Sequence, residues 1–335
     1  MTAWIERSMD AVGYLLSESD MLIVVSTQDA PDEIVRLATQ RAEARAARQW
    51  QAADHLREAI ESAGWRVVDS GTEFSLAPTR PADLVERDRT LYGGVESVPS
   101  RLAEPASLGA SVTVVAHVGD DTLAETLARL KQHCPDDTQC IVVADGAIAI
   151  DSVRADVETV WTVGSFDPGA ALQAGLRRAS GNVIVVMQPD RVPDGDVVSP
   201  LVSALDDGSV AIVGPEGLRS SDLRRFQLAP IGDVTALRPG CYAFRRSEAI
   251  ARGPFDERLR LASSVAAWWS LVLRDEGHGA VPRRAVAMRL PLEDRPRDWT
   301  LRDGHARLLR RDAYRIAERF GHRSDLAAVI PGDHG

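Results

Sequence analysis

The sequence predicts an α/β protein with a mostly parallel sheet and helices on both of its faces. Apolar runs of strand length, such as Val183–Met187, alternate with helical patterns between residues 111 and 290. Uninterrupted apolar runs are typical of strands buried on both faces, and their alternation with helices favours parallel pairing. Asp190 follows Val183–Met187 in a proline-flanked turn, where an open α/β sheet places its ligand chemistry.

The first well-defined pattern covers residues 31–78. Pro31-Asp32-Glu33 is typical of a helix start, and Gly64 of a helix end. The helical spacing slips near Gln49-Trp50, which predicts two helices, and alternating residues around Ser70-Gly71 predict a β-hairpin. We expect a helical hairpin with a small β-ribbon. Residues 1–30, ahead of it, contain the amphipathic segment Trp4–Leu16 and the apolar run Met21–Val25.

Residues 79–110 carry three prolines and little periodicity, which predicts a linker. Apolar runs then predict strands at Ser111–Val118, Gln139–Val143, Val157–Val163, Asn182–Met187, Val210–Val213, Gly240–Arg245 and Arg284–Leu290. Helical spacing predicts helices at Asp121–His133, Pro168–Ala179, Val197–Leu205 and Ala262–Glu276. A basic helix, Arg302–Arg319, is expected in a C-terminal extension over residues 291–335.

The composition excludes several classes of protein. A net charge of −10 argues against a general nucleic-acid binder. The three cysteines show neither metal-ligand spacing nor a disulfide framework, which fits a reducing compartment. No stretch approaches the ~20 apolar residues that would span a bilayer, and Met1–Tyr14 lacks the apolar core of a signal peptide. We therefore expect a cytoplasmic protein with no membrane partner.

Residues 1–78 contain a module that resembles the small C-terminal helical domain of cysteinyl-tRNA synthetases. The matching positions are Arg41, Ala44, Arg45, Trp50, Ala53, Asp54, Arg57 and Gly64. The synthetase's catalytic signatures and zinc-ligand cysteines are absent from the chain, so the resemblance implies no aminoacylation. It implies an RNA or protein partner for residues 31–78. The alternative is a structural hairpin whose Trp50 and Trp65 fill its own core.

Residues 111–290 resemble a family 2 glycosyltransferase with a GT-A fold. The resemblance rests on Gln188-Pro189-Asp190 after a buried strand, and on Gly214-Pro215, Phe244-Arg245-Arg246, Gly253–Arg258 and Trp268-Trp269-Ser270. It implies inverting transfer from a nucleoside-diphosphate sugar with the help of Mg²⁺ or Mn²⁺. A diphosphate leaving group needs such a cation because charge builds up on it as it departs.

The resemblance also assigns the residues that would bind the donor. Asp190 takes the place of the metal-proximal carboxylate, whereas Gln188 replaces the other acid of the D-x-D motif. Asp145 takes the place of the carboxylate that faces the base, although Asp145-Gly146 also fits an ordinary turn. Gln173 stands where relatives have an asparagine, and His117 ends the first strand, where it either touches a base or is an ordinary loop residue.

The acceptor side lacks an expected group. Relatives carry a carboxylate, the general base, at the start of the helix that contains Trp268-Trp269, and this chain has Ala266 or Ala267 there. Asp256 and Glu257 match the family's acceptor-loop pair. The two histidines that relatives place before a tryptophan are absent from Glu293–Trp299.

The expected function is therefore a family 2 glycosyltransferase. A catalytically degenerate binding or scaffold protein, or a protein acting through its N-terminal module, are the alternatives.

Overall fold

The computed structural model describes residues 30–70, 73–87, 89–148, 157–293 and 305–327. The segments Trp4–Leu16 and Met21–Val25 and the loop ending at Trp299 lie outside the described residues. The chain divides into two compact units, Met1–Pro81 and Ala82–Gly335. In the described part of both units, no helix combines the length and the apolar character that crossing a bilayer requires.

The first unit contains the helical hairpin and the β-ribbon that its sequence predicts. Its elements are α1 (Asp32–Ala46), α2 (Trp50–Ser62), β1 (Trp65–Ser70) and β2 (Glu73–Pro78). The two strands pair antiparallel, from Trp65 opposite Pro78 to Ser70 opposite Glu73. The core of the unit is small and consists of Ile34, Ala38, Ile60 and Leu76.

The expectation that Trp50 fills this core is wrong. Trp50 is 60% exposed because, at the start of α2, it borders a cavity lined by the polar side chains of Arg41 and Arg45 and not the apolar core. The buried polar residue is instead Arg41, which donates hydrogen bonds of 2.9 and 3.0 Å to the Asp69 carboxylate. Arg45 pairs with the same carboxylate, and the hydrogen bonds from Arg41 and Arg45 hold the pKa of Asp69 below its usual value. Two of the positions that match the synthetase module therefore tie α1 to β1.

The second unit is built on a ten-stranded sheet. In chain order its strands are β3 (Leu84–Glu86), β4 (Arg89–Tyr92), β5 (Leu108–Ala116), β6 (Thr138–Asp145), β7 (Glu158–Thr162), β8 (Gly181–Met187), β9 (Val210–Gly214), β12 (Gly232–Val234), β14 (Cys241–Arg245) and β15 (Arg284–Ala287). A small separate sheet contains β10 (Gly217–Arg219), β11 (Gln227–Ala229) and β13 (Ala236–Leu237).

The strands lie in the order β12-β15-β9-β14-β8-β5-β6-β7-β4-β3. The run from β8 through β5, β6 and β7 to β4 is parallel throughout, as is the pair of β9 and β15. Strand β14 is antiparallel to both of its neighbours, β8 and β9. Its first residue, Cys241, lies opposite Met187, the last residue of β8, so the loop before β14 and the turn after β8 meet at one edge of the sheet.

Helices cover both faces of this sheet, as the sequence predicts. They are α3 (Leu123–His133), α4 (Pro168–Arg178), α5 (Val198–Asp206), α6 (Arg246–Ala251), α7 (Ala262–Arg274) and α8 (His305–Phe320). Alternate residues of β6 enter different cores: Ile141 and Val143 pack with α4 and α7, and Val142 and Ala144 with α3 and α5. This alternation is the period-two geometry of a strand buried on both faces, and it confirms the predicted α/β class.

The structure differs from the sequence-based prediction within residues 79–110. Two short strands, β3 and β4, lie there at the edge of the large sheet, where β4 runs parallel to β7. Strand β5 also begins at Leu108, ahead of the predicted start at Ser111. Strands of three and four residues are too short to show a hydrophobic period, so the sequence gives no signal for them.

Candidate functional site

A cavity of about 410 Å³ opens where β5 and β8 end and β14 begins. Its wall is formed by the loop after β5, the turn after β8, the residues leading into β14, and the first residues of α4 and α7. The carboxyl ends of parallel strands are where an α/β sheet binds its ligands, because the connecting loops leave a crevice there. The volume falls within the range of small-molecule sites.

The turn after β8 brings Gln188, Pro189 and Asp190 to the cavity wall. The Gln188 amide N–H donates to the Gly240 carbonyl at 2.7 Å. The Pro189 carbonyl accepts hydrogen bonds from the Thr122 and Thr126 hydroxyls at 2.8 and 2.6 Å. These bonds fix the turn between α3 and β14, so the exposed Asp190 carboxylate is presented from a rigid support.

The loop after β5 contributes His117 and Asp120 to the same wall. The His117 backbone N–H donates to the Asp120 carboxylate at 2.6 Å, which folds the loop back on itself. The sequence-based prediction includes His117 but misses Asp120, because an acid in Gly-Asp-Asp has the composition of any turn. Together with Asp190, Asp120 gives the cavity a second carboxylate.

Asp145 does not line this cavity. It ends β6, which is separated from β8 by β5, so the two strand axes lie about 10 Å apart. Its carboxylate accepts hydrogen bonds from the Ala147 amide at 2.9 Å and the Ser165 hydroxyl at 2.7 Å. These contacts are those of a turn-forming aspartate, and a role in binding a base stays a prediction.

Gln173 is buried in α4, and it too is absent from the cavity wall. Its side-chain oxygen accepts a hydrogen bond of 3.2 Å from the Phe255 amide. Phe255 begins the acceptor loop, which we define as residues 255–261. The contact that Gln173 makes here therefore positions the acceptor loop against α4.

Asp256 has a structural role within the acceptor loop. Its side chain is only 9% exposed and accepts hydrogen bonds of 3.0 Å from the Arg258 amide and guanidinium. Burial acts to raise the pKa of Asp256, but the hydrogen bonds and charge of Arg258, with Arg315 at 3.7 Å, leave it below its usual value. Glu257 follows as a partly buried residue of the same loop.

The far end of the acceptor loop is held by the C-terminal helix α8. The amides of Arg260 and Leu261 donate to the fully buried Asp312 carboxylate at 3.1 and 3.2 Å. The Arg260 guanidinium also pairs with Asp167, the residue that precedes α4. Elements from two distant parts of the chain therefore fix this loop, which leads directly into Ala262 at the cavity wall.

Ala266, the position where the family resemblance expects the catalytic base, is buried in the structure. Ala266 and Ala267 are 0% and 4% exposed and belong to the core beneath the sheet. The residue of α7 that lines the cavity is Ala262, because the helix begins there and Ala266 lies about one turn further in. The first turn of α7 contains no acidic residue, so this helix brings no carboxylate to the acceptor side.

Gly169, in the first turn of α4, contacts the acceptor loop through backbone alone. A Cβ there would lie 2.6 Å from the Asp256 carbonyl oxygen and 3.2 Å from Glu257 Cα. We expect Gly169→Ala to force α4 and the loop apart and to lower the free energy of unfolding by about 1–3 kcal/mol, the usual cost of overpacking. Gly208→Ala is the matched control, since a Cβ at Gly208 meets nothing within 4 Å. Equal urea midpoints for the two variants would contradict this packing.

The cavity offers oxygen ligands that suit a hard divalent cation. They are the carboxylates of Asp190 and Asp120 and the side-chain oxygen of Gln188. Within the described ranges, no three His, Cys, Asp or Glu side chains are grouped as a metal site. Mg²⁺ is commonly bound through one or two carboxylates together with substrate phosphates, so this set fits an ion that arrives with a diphosphate.

Residues 111–232 match the model of Glycosyl transferase family 2. The matched range includes β5, β6 and β8 and the Gln188–Asp190 turn, and it supports the resemblance seen in the sequence. No curated protein sequence matches the chain. The resemblance of residues 31–78 to a synthetase module stays a prediction.

Several solved structures are similar to this chain over 55% of its length. One is GalNAc-T7 with UDP, GalNAc and Mn²⁺, at a TM-score of 0.46 and 15% identity. Another is S. aureus TarS, at 0.42 and 14% identity, and its fragment 1-349 with UDP gives 0.42 and 13%. The chain spans 42%, 36% and 60% of these three chains.

Proposed function

We propose that this protein is an inverting glycosyltransferase of the family 2 type that takes a nucleoside-diphosphate sugar into the cavity at the ends of β5 and β8. The observation that carries the proposal is the fixed Gln188–Asp190 turn, which faces a cavity of small-molecule size inside the region matched by the family model. Asp190 and Gln188 would hold a divalent cation, Mg²⁺ or Mn²⁺. That ion would supply charge neutralisation for the departing diphosphate.

Different residues of the chain form the side of the cavity that would bind the donor and the side that would bind the acceptor. The loop after β5, with His117 and Asp120, and the turn after β8 form the donor side. The acceptor loop and Ala262 form the acceptor side, where a hydroxyl would attack the anomeric carbon as the bond to the diphosphate breaks. A single displacement of this kind inverts the anomeric centre. The hydroxyl proton must leave in the same step, and α7 presents no carboxylate to take it.

A second candidate function follows from the same observation. With Ala262 on the acceptor side and Gln188 in the metal motif, the cavity is equipped better to bind a sugar nucleotide than to turn it over. The alternative is thus a degenerate glycosyltransferase that uses the bound nucleotide to present a surface to a partner. Both candidates require the same donor site, so binding is tested first.

The test is a thermal-shift screen of nucleoside-diphosphate sugars, each with Mg²⁺, with Mn²⁺ and with a chelator. A ligand that binds only the folded protein stabilises it by ~2.7 kcal/mol at a hundred times its dissociation constant, so at least one donor should raise Tm. Asp190→Asn should abolish most of that shift. Asp145→Asn is the companion variant, and its result decides whether Asp145 contacts the ligand or only the turn. A flat response across the whole panel would contradict the proposed function.

An RNA or protein partner for residues 31–78 stays a prediction. Arginine variants are a poor test of it in this structure. Arg41 and Arg45 are engaged with Asp69, so replacing them disturbs the packing of the module as well as any ligand. The exposed Trp50 lies beside a cavity of about 320 Å³ that these arginines also line. Trp50→Ala is therefore the variant that separates binding from folding.

A further inference from the structure

Arg191, directly after the Gln188–Asp190 turn, is a buried cation with unused hydrogen-bonding capacity. It is 8% exposed, and its Nη2 atom lies 2.7 Å from Glu216 Oε1. The two groups are close enough for an ion pair but are not aligned for a hydrogen bond. Within the described residues, Nε and Nη2 of Arg191 make no hydrogen bond. Buried donors without acceptors are costly, which calls for a ligand or a functional reason.

The guanidinium lies close to Gly240, a residue of the cavity wall. Gly240 lines the cavity, and a Cβ on it would lie 2.6 Å from Arg191 Nε and 3.0 Å from Nη2. Gly240 also has a φ of +124°, a conformation that other residues rarely adopt. The wall therefore has no side chain at this point, and Arg191 approaches it at Gly240.

The position along the wall indicates which part of a ligand the arginine would meet. The Gly240 carbonyl accepts the hydrogen bond from the Gln188 amide, so the wall in front of Arg191 adjoins the turn that carries Asp190. The other charged residues at the wall, Asp120 and Asp190, are carboxylates. On their own they repel a diphosphate, whereas a guanidinium stays charged at every physiological pH.

We infer that Arg191, acting across the Gly240 wall, forms a diphosphate subsite whose permanent positive charge supports binding of the donor's diphosphate even without a divalent cation. This inference rests on the proposed function and names a residue that function does not assign. The Glu216 carboxylate partly neutralises the charge of Arg191, because its Oε1 atom lies 2.7 Å from Arg191 Nη2. Its other oxygen, Oε2, lies 3.3 Å from Arg238 Nη1. The charge that reaches the cavity is therefore set by the balance between Arg191 and Glu216.

Two sets of substitutions, one removing Arg191 and one removing only Glu216, should change the affinity for a diphosphate in opposite directions. Inorganic pyrophosphate and UDP are titrated into the full chain by calorimetry, in Mg²⁺ and in EDTA. In EDTA, Arg191→Met combined with Glu216→Gln should weaken binding at least ~10-fold, whereas Glu216→Gln alone should strengthen it several-fold. Removing both members leaves no buried charge at position 191, and Arg238, which also loses Glu216, is only half-buried, so the double variant should still fold. Arg191→Lys should retain most of the affinity.

Arg246→Met is the control for the loss of any buried arginine. Arg246 is 5% exposed, and its guanidinium donates to the carbonyls of Ala179 and Arg101, away from the cavity wall. Circular dichroism confirms the fold of each variant before titration. If the double variant binds both probes within twofold of the wild type in both buffers, the inference is overturned and the donor site stands. If the wild type binds neither pyrophosphate nor UDP in either buffer, both the proposed function and this inference are wrong.

Discussion

Ala266→Asp should prevent the protein from folding. Ala266 has no exposed surface, and its helix packs in the core with Trp269 and Phe244. A carboxylate there would be buried without a partner, which costs several kcal/mol. The whole free energy of unfolding of a domain is only about 5–15 kcal/mol. We expect loss of soluble protein, or a melting transition that far-UV circular dichroism no longer detects.

The control is Ala262→Asp, an identical change one turn earlier in α7. Ala262 is half-buried at the cavity wall, and it is the first residue of the helix. A carboxylate at a helix N-terminus gains about 0.3–1 kcal/mol from the helix dipole, so this variant should fold as well as the wild type. Equal stability of the two variants would show that the burial of Ala266 described above is wrong.

Ala262→Asp should also raise the rate of glycosyl transfer. The wild type should turn over slowly, since a missing general base typically costs ~10²–10⁴-fold. An aspartate at Ala262 would lie on the acceptor side of the cavity, within the first turn of α7, where a hydroxyl can approach it. We expect an increase of about 10²-fold in turnover of a sugar nucleotide that the thermal-shift screen identifies, measured as release of the nucleoside diphosphate.

Ala262→Asn separates the chemistry from the shape of the side chain. Asparagine has nearly the size of aspartate but cannot accept a proton at neutral pH, so it should leave the rate at the wild-type level. A rate gain with Asn as large as with Asp would contradict the role of a base. A wild-type turnover near ~10 s⁻¹, the middle of the enzyme range, would show that a base is already present elsewhere.

The elements that position the site could be predicted from the sequence because they are long and strongly patterned. The structure has β8 at Gly181–Met187 and α4 at Pro168–Arg178, each within a residue of the ends predicted from apolar runs and glycine or proline signals. The sequence also predicts that Asp190 lies at the sheet edge, because the end of a buried strand is a position set by topology. The α/β class follows from these elements alone.

The details of the site depend on contacts that no local pattern contains. The sequence predicts the start of α7 at Ala262 correctly, but the family resemblance assigns the base position to Ala266 or Ala267, about one turn (5.4 Å) further along, where the side chain enters the core and not the cavity. Asp120 enters the cavity because its loop folds back onto the His117 amide, a contact without a sequence signature. Trp50 is exposed although its size favours burial, because its neighbours across the cavity at the start of α2 are polar arginines of α1.

The buried carboxylate of Asp312 has a consequence for where this protein can be cut. The family model ends at residue 232, whereas the acceptor loop is fastened by a residue of α8, eighty positions further along the chain. A fragment ending before α8 would keep the whole donor side and would leave the two backbone amides just before Ala262 without their acceptor. The shortest fragment that keeps the site intact therefore extends past residue 232 and includes α8, which holds the acceptor loop in place.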